Sequence, residues 1–136
     1  RSVSVEDIEK ISDDVLKRRA LHVLTENERV LKTLSALEAD NLRLVGKYLY
    51  ESHYSLRDNY EVSCPEIDFL IGEFEKSSNI YGARIVGAGF GGSVIVLADT
   101  GFERVMDEIS KKYVIKYGIE PKVIDVETSD GVHRIE

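Results

Sequence analysis

Ala83-Arg84-Ile85-Val86 leads into Gly87-Ala88-Gly89-Phe90-Gly91-Gly92, and this in turn leads into Ser93-Val94-Ile95-Val96-Leu97-Ala98. A short β-prone run, four glycines in six positions and a stronger β-branched run follow one another with no helical period between them. Glycine tolerates positive φ and lets another group approach the main chain closely. Successive exposed N–H groups in such a turn form a concavity suited to an anion. Gly87, Gly89 and Gly92 satisfy G-x-G-x-x-G, but the dinucleotide fingerprint requires a helix straight after the glycines. Here a strand is predicted instead, buried on both faces, and no βαβ unit surrounds it. No Gly-Lys-Ser/Thr follows, so a Walker A loop is excluded too. On residues alone the segment reads equally well as a tight bend or as a ligand loop.

Upstream of this segment the chain reads as helical, over about residues 4–77. Leu16, Ala20, Val23, Leu24, Asn27, Val30, Leu31, Leu34 and Leu37 recur at steps of three and four. That spacing predicts a long helix with one apolar stripe facing a core. Ser12 and Asp13 are candidate caps at its start. Asp40 is a candidate cap for a second helix, with Leu42, Val45, Leu49 and Leu56 on its inner side. A break is expected at Leu56-Arg57-Asp58-Asn59-Tyr60, and Ser63-Cys64-Pro65-Glu66 has the form of a capping box. Ile67, Leu70, Ile71 and Phe74 then line a third helix.

Downstream, over about residues 81–136, strands alternate with a helix. Thr100-Gly101-Phe102-Glu103 resembles a second capping box, and Phe102, Val105, Ile109, Tyr113 and Tyr117 share one helical face. Gly118 ends that helix and Pro121 prevents its continuation. Residues 122–126 and 132–135 are predicted as third and fourth strands, joined at the Asp130-Gly131 turn. The fold class predicted is α+β, a small and mostly antiparallel four-stranded sheet with helices on one face. One domain over residues 1–136 is expected, and 136 residues suffice to bury a core.

Twenty-five acidic against 18 basic residues leave a net charge of −7, which argues against nucleic acid and anionic membranes as partners. No stretch approaches the length of a membrane span. The one cysteine, Cys64, excludes an internal disulfide framework and suits a reducing compartment. A chain that opens on Arg1 rather than methionine is expected to be a piece of a longer polypeptide. His22, His53 and His133 share no ligand spacing with Cys64, so no metal site is expected. A Cys64–His53 nucleophilic pair is outweighed by the helix start around Cys64. Glu66 and Asp68 diverge around the predicted helix and read as first-turn acids rather than a catalytic pair. Arg57 and Asp58 read as turn-ordering residues, and the seven tyrosines as core and interface material. Arg84 could balance phosphate charge or form an ion pair at the sheet edge, the second reading being favoured.

Tyr81-Gly82-Ala83-Arg84-Ile85-Val86-Gly87-Ala88-Gly89-Phe90-Gly91-Gly92 closely resembles the third conserved motif of the GHMP kinases. The block from Glu51-Ser52-His53-Tyr54-Ser55-Leu56-Arg57-Asp58-Asn59-Tyr60 on to Glu61-Val62-Ser63-Cys64-Pro65-Glu66-Ile67-Asp68 resembles the galactokinase branch in particular. Arg18-Arg19-Ala20-Leu21-His22-Val23 with Glu26 and Arg29 is similar to the long helix of that branch, and Ser129-Asp130-Gly131-Val132 to its end. Val86 stands where a threonine is common and Ser93 where a cysteine is common, and neither departure removes a glycine.

The resemblance implies a ferredoxin-like C-terminal domain of a cytoplasmic enzyme that moves the ATP γ-phosphoryl group to the C1 hydroxyl of galactose with Mg2+. It implies that Gly87, Ala88, Gly89, Phe90, Gly91, Gly92 and Ser93 form a wall beside the phosphates. It also implies that the catalytic aspartate, the main nucleotide loop and most sugar-binding residues lie in an N-terminal domain absent from this chain. That domain is the expected partner, and the chain alone is expected to be inactive. N-acetylgalactosamine kinase, a non-catalytic galactose- and ATP-responsive regulator and a stand-alone small-molecule-binding domain remain as alternatives.

Overall fold

The structure, a computed structural model, describes residues 3–128 and 131. The short helix α1 (Val5–Glu9) opens on a capping box. The Ser4 hydroxyl accepts from the Asp7 amide, and the Asp7 carboxylate accepts from the Ser4 amide. The long helix α2 (Asp14–Glu38) is capped by Asp13, whose carboxylate accepts from the Leu16 amide at 2.9 Å. Asp40 takes φ 53° in the connection, and the cap of α3 (Leu42–Ser55) is Asn41, one residue later than expected. Its side-chain oxygen accepts from the Leu44 amide at 3.1 Å.

α2 and α3 run antiparallel, because His22 meets Ser55 while Glu26 meets Ser52. The surface between them is polar. The Ser52 hydroxyl donates to Glu26 at 2.7 Å, and Arg29 pairs with Glu26. Here the expectation for α2 is overturned. His22 and Ala36 are its buried residues, whereas Leu16, Val23, Val30, Leu31, Leu34 and Leu37 are 51–66% exposed. These six positions of the predicted stripe face outward, because the adjoining side carries the hydrogen-bonding groups that α3 satisfies, while Ala20 and Leu24 are half-buried.

The expected break at 56–60 is a change of helical pitch. Leu56–Tyr60 continues α3 as a π-helical turn, and Glu61 at φ 59° ends it. α4 (Pro65–Phe74) begins with Pro65 at its first position. The capping box predicted there does not form, because Cys64 rather than Ser63 stands at the N-cap and no side chain caps it; the Ser63 hydroxyl donates to Asp68 at 2.6 Å. The second predicted box fails as well. α5 (Phe102–Tyr117) starts from Gly101 at φ 78° with no side-chain cap. Gly118 at φ 68° ends α5 as expected, its amide donating to Val114.

β1 (Ile80–Val86) and β2 (Ser93–Ala98) form an antiparallel pair, with Ala83 opposite Val96 and Val86 opposite Ser93. Ile67, Ile71 and Phe74 of α4 pack with Ile80, Ala83 and Ile85 of β1 and Ile109 of α5 in the core. The α+β expectation holds, but the described residues carry two strands rather than four. Residues 121–128 adopt no regular structure, with Val123, Ile124 and Val126 exposed. Their β-branched composition favours strand, yet no described edge pairs with them, and a strand needs its ladder more than its propensity. The predicted fourth strand at 132–135 and the turn at Ser129-Asp130 lie outside the described residues. β2 is not buried on both faces either, since Ser93 and Ile95 are exposed where nothing described covers that side. No helix among the described residues is long and apolar enough to cross a membrane.

α3 crosses β1 at a point where two glycines meet. A Cβ on Gly46 would overlap the Tyr81 carbonyl, and a Cβ on Gly82 would overlap the Gly46 carbonyl. The main chains of helix and strand therefore touch, and the strand that enters the glycine loop is fixed against α3.

Candidate functional site

The loop between β1 and β2 holds the most unusual backbone in the chain. Gly87, Gly89, Phe90, Gly91 and Gly92 all have positive φ, from 60° at Phe90 to 124° at Gly91. Gly89 is the position where two requirements coincide. Its φ is 88°, and a Cβ there would sit 2.5 Å from the Val62 carbonyl oxygen. The Phe90 amide donates to that same oxygen at 2.6 Å, so the loop rests on the α3–α4 connection at Val62. The galactokinase-like block and the glycine loop, well apart in sequence, thus meet in space. Phe90 is held in a conformation rare for a side-chain-bearing residue and is 74% exposed. Gly87, Ala88, Gly92 and Ser93 are exposed as well.

Among the described residues, the Phe90 amide is the one loop donor from 87–92 bonded to protein outside the strand ladder. A Cβ added at Gly87, Gly91 or Gly92 would meet nothing within 4 Å. The space beside these three Cα atoms is open, and successive exposed amides in such a turn can form an anion-binding concavity.

The family model described as GHMP kinases C terminal matches residues 33–115, which include α3, α4, the loop and most of α5. The chain belongs to the GHMP kinases. The "Galactokinase" of Thermotoga neapolitana is 48% identical over 136 residues, 99% of this chain and 39% of that protein. That of Clostridium beijerinckii is 40% identical over 126 residues, 92% of this chain and 32% of that protein. This GHMP kinase chain thus spans about two-fifths of the length of its Thermotoga and Thermosipho relatives. Among solved structures, Lactococcus lactis galactokinase complexed with galactose superposes with a TM-score of 0.78 at 33% identity, covering 87% of this chain and 32% of that one. Mevalonate kinase of L. major in complex with R-mevalonate has a TM-score of 0.54 at 21% identity, over 90% of this chain and 37% of that one, and shows a shared fold.

In this GHMP kinase chain the other residues singled out from sequence take positions around the loop's supports. Arg84 donates to the Ser52 hydroxyl at 3.0 Å and to the Ile85 carbonyl at 3.1 Å, and lies 3.8 Å from Glu26. Its guanidinium ties β1 to α2 and α3. Arg18 and Arg19 bind the Glu61 carboxylate, which the Arg19 hydrogen bond above all holds below the usual carboxylate range. Arg19 also donates to the Asn59 carbonyl, so the π-helical turn is clamped to α2. Arg57 and Asp58 pair with each other, as expected of turn-ordering residues.

His53 is fully buried, and its Nε2 lies 3.2 Å from Asp68. Ser63, His53 and Asp68 therefore gather beside the loop's anchor. The Ser63 hydroxyl donates to Asp68 and not to the imidazole, so the order required of a nucleophilic relay is missing. The cluster is a strut that holds the segment carrying Val62. Asp68 was expected only as a first-turn acid. Its strut role comes from a distant histidine, which helical spacing does not reveal. Cys64 is unpaired and packs against the core cluster. Among the described residues no group of three His, Cys, Asp or Glu side chains could hold a metal ion. His133 lies outside the described residues.

Four residues that matter for the site carry no individual role in the sequence reading. Gly46 and Gly82 set the height of β1 over α3, and an isolated glycine in a helical pattern was the available signal. Glu26 and Ser52 were quoted only as part of family-like blocks, yet they anchor Arg84.

The two buried histidines predict a pH dependence. Burial holds His22 below its ordinary value of 6.5, aided by Arg29, Arg84 and Arg19. Burial also lowers His53, against the opposing pull of Asp68. Both stay neutral in the folded chain where the unfolded chain takes up protons. The stability they contribute is present above pH 6.5 and declines as pH falls below it. Thermal unfolding should show a flat midpoint from about pH 8 to about pH 7 and a decline below about pH 6.5. His22→Asn should flatten part of that decline. The depressed carboxylates Glu61 and Glu73 add a separate loss below their ordinary value of 4.5.

Proposed function

We propose that this chain is the C-terminal half of a galactokinase, whose complete polypeptide transfers the γ-phosphoryl group of ATP to the C1 hydroxyl of galactose. Gly87, Ala88, Gly89, Phe90, Gly91, Gly92 and Ser93 form one wall of the phosphate site in this reading. The observation that carries it is the run of positive-φ backbone with open amides, held in place by the Phe90–Val62 hydrogen bond. Such amides suit a triphosphate, since they offer fixed dipoles with no side chain in the way. The galactokinase relatives, one of them solved with galactose, support the choice of sugar.

ATP supplies the phosphoryl group, and transfer requires alignment and charge stabilisation more than covalent chemistry. The loop's part is to present amides at a fixed height. Arg84 acts from beneath by keeping β1 seated on α2 and α3. The described residues do not supply a magnesium ligand set. Metal ligation, the catalytic aspartate and most sugar contacts are assigned to an N-terminal domain outside this chain, its partner in the complete enzyme. The same reading puts the enzyme in the cytoplasm, in keeping with the unpaired Cys64.

A coupled assay of ADP release tests this. The full-length polypeptide should phosphorylate galactose with ATP, and the 136-residue chain alone should show no turnover. Turnover by the chain alone, or none by the full-length polypeptide, would overturn the proposal.

A further inference from the structure

We infer that the outward apolar face of α2 is the seat of the part of the polypeptide that this chain lacks. The inference rests on the reading above, that the chain is one half of a two-part kinase, and it assigns the surface on which the two parts meet. Leu16, Val23, Val30, Leu34 and Leu37 are separated by seven, seven, four and three residues. At helical pitch they fall within a sector of roughly 60°, along about 30 Å of helix. All five are more than half exposed. The neighbouring side of α2, centred roughly 90° around the helix from the stripe, is the one in use, carrying His22, Glu26 and Arg29 against α3. The helix is therefore inside out with respect to this chain, with its hydrogen-bonding side inward and its aliphatic side in water.

Exposed leucines scattered singly are ordinary, but a continuous stripe of this length marks an interface. About three-fifths of the length of the Thermotoga neapolitana relative lies outside the matched region, since this chain covers 39% of it. A covalently attached occupant meets the stripe at high effective concentration, which favours it over a second copy of the chain. The position of the stripe agrees with this. Arg18 and Arg19, on the turn between Leu16 and Val23, clamp α2 to Glu61. Glu61 is the residue before Val62, on which the glycine loop rests. A body seated on that end of the stripe is thereby brought to the neighbourhood of the loop.

Thiol labelling tests the inference without relying on activity. Leu34→Cys and Glu28→Cys are introduced separately into full-length polypeptide carrying Cys64→Ser, and circular dichroism checks that each variant is folded. Glu28 is exposed on a different face of α2 and serves as control. Leu34→Cys should react with a maleimide about ten-fold more slowly than Glu28→Cys in the full-length polypeptide. Equal rates there would overturn the inference. So would protection that appears only as protein concentration rises together with a dimer in sedimentation, since the occupant would then be a second copy. Kinase turnover is measured on the same full-length preparation before the cysteines are introduced. A protected Leu34→Cys in an inactive polypeptide would end the galactokinase reading and leave the docking surface standing.

Discussion

Gly46→Ala lowers the unfolding midpoint by roughly 6 °C, while Gly72→Ala raises it by roughly 3 °C. Both glycines sit inside helices, α3 and α4, where alanine is favoured by about 1 kcal/mol. At Gly72 a Cβ meets nothing within 4 Å, so the propensity gain is realised. At Gly46 the new methyl would enter the Tyr81 carbonyl, which belongs to the backbone of β1. Neither partner can rotate away, so α3 and β1 must separate, at a cost of about 3 kcal/mol that outweighs the gain. Gly46→Val should remove the cooperative transition altogether, because the separation then approaches the whole stability of a small domain, about 5–15 kcal/mol. Differential scanning calorimetry of the three variants decides the matter. A Gly46→Ala midpoint at or above that of the parent would show that the glycine crossing does not hold the sheet in place.

Gly89→Val is expected to lower kcat/KM of the full-length polypeptide about 100-fold, with a fall of only a few degrees in the midpoint. A β-branched residue at φ 88° is strained, and its Cβ would lie 2.5 Å from the Val62 oxygen and 2.7 Å from the Val62 Cβ. The loop must lift from Val62, which releases the Phe90 hydrogen bond and displaces the amides that the proposed function sets against the phosphates. The core cluster of α4, β1 and α5 includes no loop residue, so most of the fold survives. Gly91→Ala is the graded control. Its φ of 124° is equally unsuited to a side chain, but a Cβ there meets nothing, so the loop stays seated and the loss is smaller. Unchanged turnover in Gly89→Val would remove the loop from the mechanism.

Much of the local structure was legible in advance because it depends on near neighbours. β2 runs over the residues expected, Gly118 stops α5, and Asp13 caps α2. The glycine loop stood out because no other residue type serves several successive positive φ values. Both predicted capping boxes fail because each helix starts one residue later than the box requires. Cys64 rather than Ser63 and Gly101 rather than Thr100 stand at the two N-caps, and neither helix has a side-chain cap. The tail at 121–128 has strand composition, but strand formation waits on a partner edge that propensity cannot supply.

From its residues alone this chain specified its helices, its paired strands and the glycine turn between them, since these follow from period, caps and the steric freedom of single residues. Tertiary structure alone decided that Gly46 faces Gly82, that Val62 carries the loop, that Arg84 is shared between Ser52 and Glu26, and that α2 turns its aliphatic side outward. A periodic pattern names the apolar face of a helix. Which face meets the rest of the chain depends on the hydrogen-bond demands of residues far away in sequence, and on α2 the polar side of His22, Glu26 and Arg29 had its partners here.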